Sequence, residues 1–364
     1  MPLSSLFSTP AQLAEKDTLP ILRALIARYT DEQPFAGLLV AFSHILVRNS
    51  LAVAEALAAG GAELVLSDAH RSPASAAVEA ELAAAGVRVL PLAEAAQAAD
   101  IFVDVNAVLG RVRTPRAAAE VTRTGVLHYT HIGCPVVSAD DCRSKLIEGF
   151  FGTGDGFVRA WQQLRPGDAL QGKQAVQFGY GKIGRGVARR ARAAGLQVTV
   201  VDASLSARQR AAAEGFVALD SAARAELQAA LAAADIVISV TGQPGLHSRL
   251  LPPAWLRAGR PVLVSLGAED EYGPAFIEDE VLGGTRVPLN FHLAQPTLNR
   301  YVDPPLAAHV MALEAWARQP DAYAPGIHAL PPEMDRWILT EWRRAWPDEN
   351  LEGIGEELGL EGNF

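Results

Sequence analysis

Short, nearly unbroken apolar runs alternate along this chain with longer stretches of helical spacing. Residues 13–29 carry a helical pattern that stops near Thr30-Asp31-Glu32, and 38–42 (LLVAF) reads as a strand. A helix over 49–59 is followed by a strand at 64–66 and a polar loop, Ser67-Asp68-Ala69-His70-Arg71-Ser72. A helix over 74–85, strands at 87–90 and 101–104, and a further strand at 125–129 complete the first 130 or so residues. Residues 140–160 read as a linker into a long helix. Strands are then predicted at 175–178, 197–201, 235–240, 261–266 and 286–290, and a helix over 304–319. Strands without polar alternation are covered on both faces, which predicts parallel sheets flanked by helices. The expected fold is α/β with two domains, each a mainly parallel sheet. A first domain over 1–148 is interrupted by a second over 149–296. The chain then returns to the first over 297–330 and ends in a tail over 331–364.

Composition narrows the class. The chain has 364 residues, enough for two domains, and a net charge of −9. That charge leaves no electrostatic footprint for nucleic acid. Cys134 and Cys142 are the only cysteines, so no disulfide framework is implied and a reducing compartment is expected. The first residues lack the basic and apolar regions of a signal peptide, and no apolar run is long enough to span a bilayer. A cytoplasmic protein with no membrane or nucleic-acid partner is expected. Asp68 and His70, two residues apart with no third ligand, are weak as a metal site, and no metal is expected.

The chemistry concentrates between positions 174 and 202. After an apolar strand comes Gly179-Tyr180-Gly181-Lys182-Ile183-Gly184, a G-x-G-x-x-G turn opening a helix, and a second strand closes on Asp202. Each part has a physical task. Gly179 allows the tight turn, Gly181 lets a pyrophosphate approach the backbone, and Gly184 lets the helix pack on its strand. The helix N-terminus offers N–H groups to phosphates. Asp202 suits ribose hydroxyls and would repel a 2′-phosphate, so NAD is favoured over NADP.

The order of segments resembles the adenosylhomocysteinase family. Residues 38–57 (LLVAFSHILVRNSLAVAEAL) are similar to its first strand and helix. Arg143-Ser144-Lys145 with Phe151-Gly152 is similar to its hinge, and 178–186 (FGYGKIGRG) resembles its AGYGDVGKG. Thr241-Gly242-Gln243 resembles its T-G-N. Asn290, Gln295-Pro296 and the stretch from Val310 to Trp316 resemble its N-L, H-P and V-M-A…E-L-W, and 326–335 (GIHALPPEMD) its V-x-x-L-P-K-x-L-D. The resemblance implies a substrate domain with an inserted Rossmann domain holding NAD. Thr241, Gly242, Gln243 and Asn290 join Gly179 to Gly184 and Asp202 as cofactor-binding residues. It also implies a hydride-transfer enzyme that forms dimers or larger assemblies, and a homodimer is expected here.

The substrate half departs from the family. Its early histidine falls at Ile45, beside His44. Its adenine-gripping carboxylate falls at Val121, after Glu120, and its D-D-G-G-D aspartate near Val105, between Asp104 and Asn106. The catalytic lysine and aspartate fall at Arg143 and Ile147, with Glu148 following. The family's N-I-G-H and G-H-P histidines fall at Ala268 and Gln295, and its C-terminal lysine and tyrosine have no counterpart in 359–364. Guanidinium is a poor base. The expected substrate is therefore small, polar, anionic and not adenosyl. The strand ends offer His44, His131, Arg143, Lys145, Glu148 and His292 for catalysis. Asp68, His70, Arg71, Asp104 and Asn106 are offered for substrate binding. A divergent adenosylhomocysteine hydrolase and a non-catalytic NAD-binding regulator remain as alternatives.

Overall fold

The computed structural model describes residues 18–360 except 72 and 268. The beginning of the expected 13–29 helix, Ser72, Ala268 and the last four residues lie outside the described residues. The chain divides into two compact units. The first runs to Ile147 and resumes at Asn299; the second is Glu148–Leu298.

The first unit opens with helix α1 (Pro20–Glu32), strand β1 (Leu39–His44), helix α2 (Arg48–Ala59) and strand β2 (Glu63–Asp68). Strands β3 (Ile101–Asp104) and β4 (Ala117–Glu120), helix α3 (Arg123–Tyr129) and strand β5 (Pro135–Ser138) follow. In the second unit a π-helical turn, Glu148–Gly152, leads into helix α4 (Thr153–Leu164). Then come β6 (Gln174–Phe178), α5 (Lys182–Ala193), β7 (Gln197–Asp202), β8 (Val217–Asp220), β9 (Ile236–Ser239), β10 (Val262–Ser265) and β11 (Val281–Leu282). The first unit resumes with α6 (Asn299–Arg318), β12 (Gly326–Ala329) and α7 (Pro332–Ala345).

Each unit holds a parallel six-stranded sheet, ordered β12-β5-β4-β3-β1-β2 in the first and β11-β10-β9-β6-β7-β8 in the second. In both, consecutive strands run outward in opposite directions from one central pair: β1 and β3 in the first sheet, β6 and β9 in the second. Such switch points leave a crevice beyond the carboxyl ends of the strands, where ligands bind. The second sheet has the order of the dinucleotide-binding fold.

Three expected strands come out differently. Residues 125–129 lie in helix α3, because Thr122 caps it: its Oγ1 accepts the Gly125 N–H at 3.1 Å. The predicted strand at 286–290 runs into a 3-10 turn, Leu289–His292, and β11 lies earlier in the chain. At 87–90 only a single bridge forms, from Val89 to Leu66.

The return segment completes the first unit. Pro304 and Pro305 lie inside α6 and have no N–H to donate. The Arg300 carbonyl that Pro304 leaves unpaired accepts instead from Trp342 Nε1 of α7 at 2.7 Å. Asp303 reaches α1, whose N-terminus has no side-chain cap of its own, and accepts from the N–H groups of Ile21 and Leu22 at 2.8 and 3.1 Å. Further along, Glu314 accepts from Arg28, Tyr29 and Arg318.

Candidate functional site

The two switch points bring chemistry together in each unit. In the second, Gly179 has φ +98°, and a Cβ there would run into the Val240 carbonyl, so the turn after β6 closes against the end of β9. A Cβ on Gly184 would strike the Gly179 carbonyl oxygen. Gly181 faces open space and caps α5 without a side chain, leaving the first-turn N–H groups of that helix directed outward. Asp202 ends β7 and accepts from the backbone N–H of Tyr180 and of Ser204, both at 2.8 Å. Its carboxylate keeps further lone pairs for hydroxyl donors. Arg208, the nearby cation that a 2′-phosphate would need, is paired with Asp220 at 2.7 Å. The open cradle at Gly181, the uncapped helix and the carboxylate fit NAD.

The remaining cofactor candidates, and the catalytic candidates His292 and Glu148 of the same unit, divide by what they expose. Lys182 and Ile183 lie exposed on the first turn of α5. The Tyr180 ring is buried against Phe216, so only its backbone faces the turn. Thr241, Gly242 and Gln243 follow β9. Asn290 is buried; its Nδ2 donates to the Pro296 carbonyl at 3.4 Å while Oδ1 has no hydrogen-bond partner among the described residues. His292 is exposed, its Nε2 2.7 Å from the Gly283 carbonyl. Glu148 begins the π-helical turn.

Sequence reading missed Glu271. It is fully buried and holds the turn after β9. Its carboxylate accepts from the Thr241 N–H at 2.9 Å, the Thr241 hydroxyl at 2.8 Å, the Gly242 N–H at 2.6 Å and the Ser239 hydroxyl at 2.5 Å. Ser239 also meets His247 Nε2 at 2.7 Å. Burial holds His247 neutral, its pKa down at about 3.

In the first unit the switch point carries His44 after β1 and Asp104 after β3. His44 stacks on Phe42, with ring centroids 5.9 Å apart, and stands 6.2 Å from the ring of His309. His309, on α6, is the second residue sequence reading missed. Its Nε2 donates to the Ala119 carbonyl at 3.1 Å. Burial, then His44, then Lys145 push its pKa down to about 3, so the ring is neutral. Lys145 opens the short helix Lys145–Ile147 on the same side.

Asp104 and Glu120 are paired in register on β3 and β4 and both are fully buried. Asp104 accepts from the N–H groups of Val105, Leu109 and Gly110 and from the Tyr129 hydroxyl. Glu120 accepts from the N–H groups of Ala107, Val121 and Thr122 and from the Thr122 hydroxyl. Burial pushes Asp104 up to about 6; burial and the Asp104 charge push Glu120 up to about 8. Together they hold a turn in which Asn106 and Ala107 take positive φ, +54° and +50°. Asn106 is exposed, and its N–H donates to Thr122 Oγ1 at 2.9 Å.

Other candidates are engaged elsewhere. Asp68 Oδ1 accepts from the N–H groups of Leu46 and His70, while Oδ2 is buried without a partner among the described residues. His70 is exposed, and Arg71 is a surface residue bonded to Glu79 at 2.9 Å. Arg143 is held by Asp335, through its Nε at 3.4 Å and its backbone N–H at 3.0 Å. His131 is expected at a strand end; since residues 125–129 form helix α3, it lies exposed just ahead of β5, at the edge where strands begin. Among the described residues no group of three or more His, Cys, Asp or Glu side chains is arranged to hold a metal ion, and no helix is long and apolar enough to cross a membrane.

Comparison with known proteins places this geometry. Residues 154–244 match the family "D-isomer specific 2-hydroxyacid dehydrogenase, NAD binding domain". The chain is 27% identical to an S-inosyl-L-homocysteine hydrolase of Methanopyrus kandleri, over 94% of this chain and 89% of that protein. It is 29% identical to an adenosylhomocysteinase of Nostoc, over 88% and 86% respectively. Among solved structures, a dipicolinate synthase chain of Bacillus halodurans superposes with a TM-score of 0.48 at 16% identity, over 79% of this chain and 99% of that one. The glycine turn, Asp202 and the matched NAD-binding family make NAD the cofactor of this chain.

Proposed function

We propose, for a chain that belongs to the adenosylhomocysteinase family as a divergent member and is an NAD-dependent enzyme, that its substrate is a small polar, anionic molecule without an adenosyl group. Glu120 carries this reading. It adjoins Val121, where the resemblance puts the adenine-gripping carboxylate, and its oxygens are already committed to four donors within the chain. A purine amino group would have to displace one of those bonds, leaving a buried N–H or hydroxyl unpaired at a cost of about 1–3 kcal/mol.

When bound, NAD supplies an acceptor for the hydride of a hydroxyl-bearing carbon. Gly181 and the N-terminus of α5 receive its pyrophosphate, and Asp202 accepts from a ribose. In the first unit Lys145 provides positive charge for an anionic substrate group. His44, half-buried at the end of β1, is a side chain of a type able to accept a proton. His309 is held neutral and is too weak a base for that step. Arg143, tied to Asp335, serves structure rather than proton transfer.

A second reading, hydrolysis of an S-nucleosyl-L-homocysteine with a base other than adenine, is favoured by the 94% coverage of the similarity to the S-inosyl-L-homocysteine hydrolase. One experiment separates the two. Small molecules released from the purified protein by acid are identified by mass spectrometry, and homocysteine release is assayed with S-inosyl- and S-adenosyl-L-homocysteine. NAD with a small anionic metabolite, and no homocysteine from either thioether, is expected. Turnover of S-inosyl-L-homocysteine establishes the second reading, and turnover of S-adenosyl-L-homocysteine refutes both.

A further inference from the structure

We propose that Glu271 is a positioning residue for the nicotinamide half of NAD, and that its buried negative charge favours the oxidised cofactor over the reduced one. The proposal rests on the NAD assignment and deepens it.

A dinucleotide-binding sheet of this order is built from two mononucleotide halves. Asp202, at the end of β7, belongs to the half that takes the first nucleoside. The turn after β9 opens the other half. That turn, Thr241-Gly242-Gln243, has one bond of its own, from the Gln243 N–H to Thr241 Oγ1 at 3.2 Å, and is otherwise held from outside. Its first two N–H groups and the Thr241 hydroxyl are all donated to Glu271, which lies about thirty residues further along the chain. Ser239, the last residue of β9, donates to the same carboxylate, and His247 is fixed on Ser239 from behind.

Room for this arrangement comes from Gly267, where a Cβ would collide with the Glu271 carboxylate. The turn is also locked to the pyrophosphate side: a Cβ on Gly179 would meet the Val240 carbonyl and approach Thr241 Cα at 3.2 Å. Glu271 therefore sets the position of one wall of the crevice against the glycine turn. Every partner its carboxylate has among the described residues is a donor, so both oxygens act as acceptors. His247 is neutral, and among the described residues no arginine or lysine is bonded to Glu271, so the negative charge is left uncompensated within this cluster.

Oxidised nicotinamide carries a positive charge that the reduced ring lacks. A buried carboxylate under the wall of its half-site attracts the first form and is indifferent to the second. With an effective dielectric constant of about 20, removing one such charge is expected to change the affinity ratio by about tenfold.

The test is calorimetric titration of the full chain, stripped of bound nucleotide, with NAD⁺, NADH and ADP-ribose. In the unaltered protein NAD⁺ is expected to bind at least as tightly as NADH. In E271Q, NAD⁺ is expected to weaken about tenfold relative to NADH while ADP-ribose binds as before. A merely structural role would weaken all three ligands together and leave the NAD⁺-to-NADH ratio untouched; that result overturns the proposal. If E271Q does not fold, the unaltered protein decides: a tenfold preference for NADH overturns the proposal, and a preference for NAD⁺ that E271D retains supports it. If ADP-ribose, NAD⁺ and NADH all fail to bind the unaltered protein, the cofactor assignment falls first and the proposal with it.

Discussion

Replacing Glu120 with glutamine should change how the stability of the first unit responds to pH. Glu120 and Asp104 face each other across β3 and β4, both fully buried, and burial pushes them up to about 8 and about 6. In the unfolded chain both carboxyls ionise by about pH 5. The folded pair keeps a proton until about pH 8, so the folded state binds about one more proton across this window. Stability then falls as pH rises, by ~1.4 kcal/mol for each unit, or about 2 to 3 kcal/mol between pH 6 and pH 8. Other groups act in or near the same range. Burial pushes Asp303 up to about 7, which adds to the fall. Burial holds His247 and His309 down at about 3, so their stabilising effect is lost as pH drops through the unfolded value near 6.5, which opposes it. All three are common to the wild type and E120Q and cancel in the difference. Urea unfolding at pH 6 and pH 8, followed by pulsed hydrogen exchange in peptides covering 101–122, reads that difference. The wild type should lose about 2 kcal/mol or more relative to E120Q on going from pH 6 to pH 8. Parallel behaviour of the two proteins would refute the idea that the buried pair retains a proton.

Gly184→Ala pushes a methyl against the Gly179 carbonyl oxygen, a backbone atom that has no rotamer to yield, and should cost about 1–3 kcal/mol in thermal or urea unfolding and weaken ADP-ribose binding. Asp202→Asn turns an amide N–H toward the N–H of Tyr180 or Ser204; NAD affinity should drop by about tenfold or more and the preference over NADP should shrink, both read by titration with each nucleotide. Trp342→Phe leaves the Arg300 carbonyl without its donor beside Pro304, and urea unfolding should register a loss of about 1–3 kcal/mol with NAD affinity unchanged.

The glycine turn was legible because everything it needs is local: strand, turn, helix and acid follow one another within thirty residues. The parallel sheets were legible from apolar runs without alternation. Strand β4 was not, since its sequence Ala-Ala-Ala-Glu has no β-branched or aromatic residue, and only burial within the first sheet makes a strand of it. Helix α3 was misread because Val126, Leu127 and Tyr129 suit a strand, while the decisive signal was one capping threonine three residues ahead of Gly125. Glu271 and His309 were hidden for another reason. Glu271 finds its partners at Ser239 and Thr241, and His309 finds its partner at Ala119 and its neighbour at His44. No spacing rule links residues that far apart. Arg71 and Arg143 stood out as cations in the sequence, yet each is matched to a carboxylate, Glu79 or Asp335, that only the fold brings near.

The way α6 closes the first unit bears on the order in which the chain can mature. Asp303 caps α1, and Glu314 gathers Arg28 and Tyr29, yet both acids emerge from the ribosome only after the whole of Glu148–Leu298. The segment synthesised first is thus the one that must wait. Until α6 arrives, the N–H groups of Ile21 and Leu22 lack the carboxylate that accepts from them, while the contiguous second unit has all its own strands in hand. A nascent chain halted at Ile147 would present an unfinished sheet to chaperones and proteases, and the inserted unit would be the earlier of the two to become resistant to them.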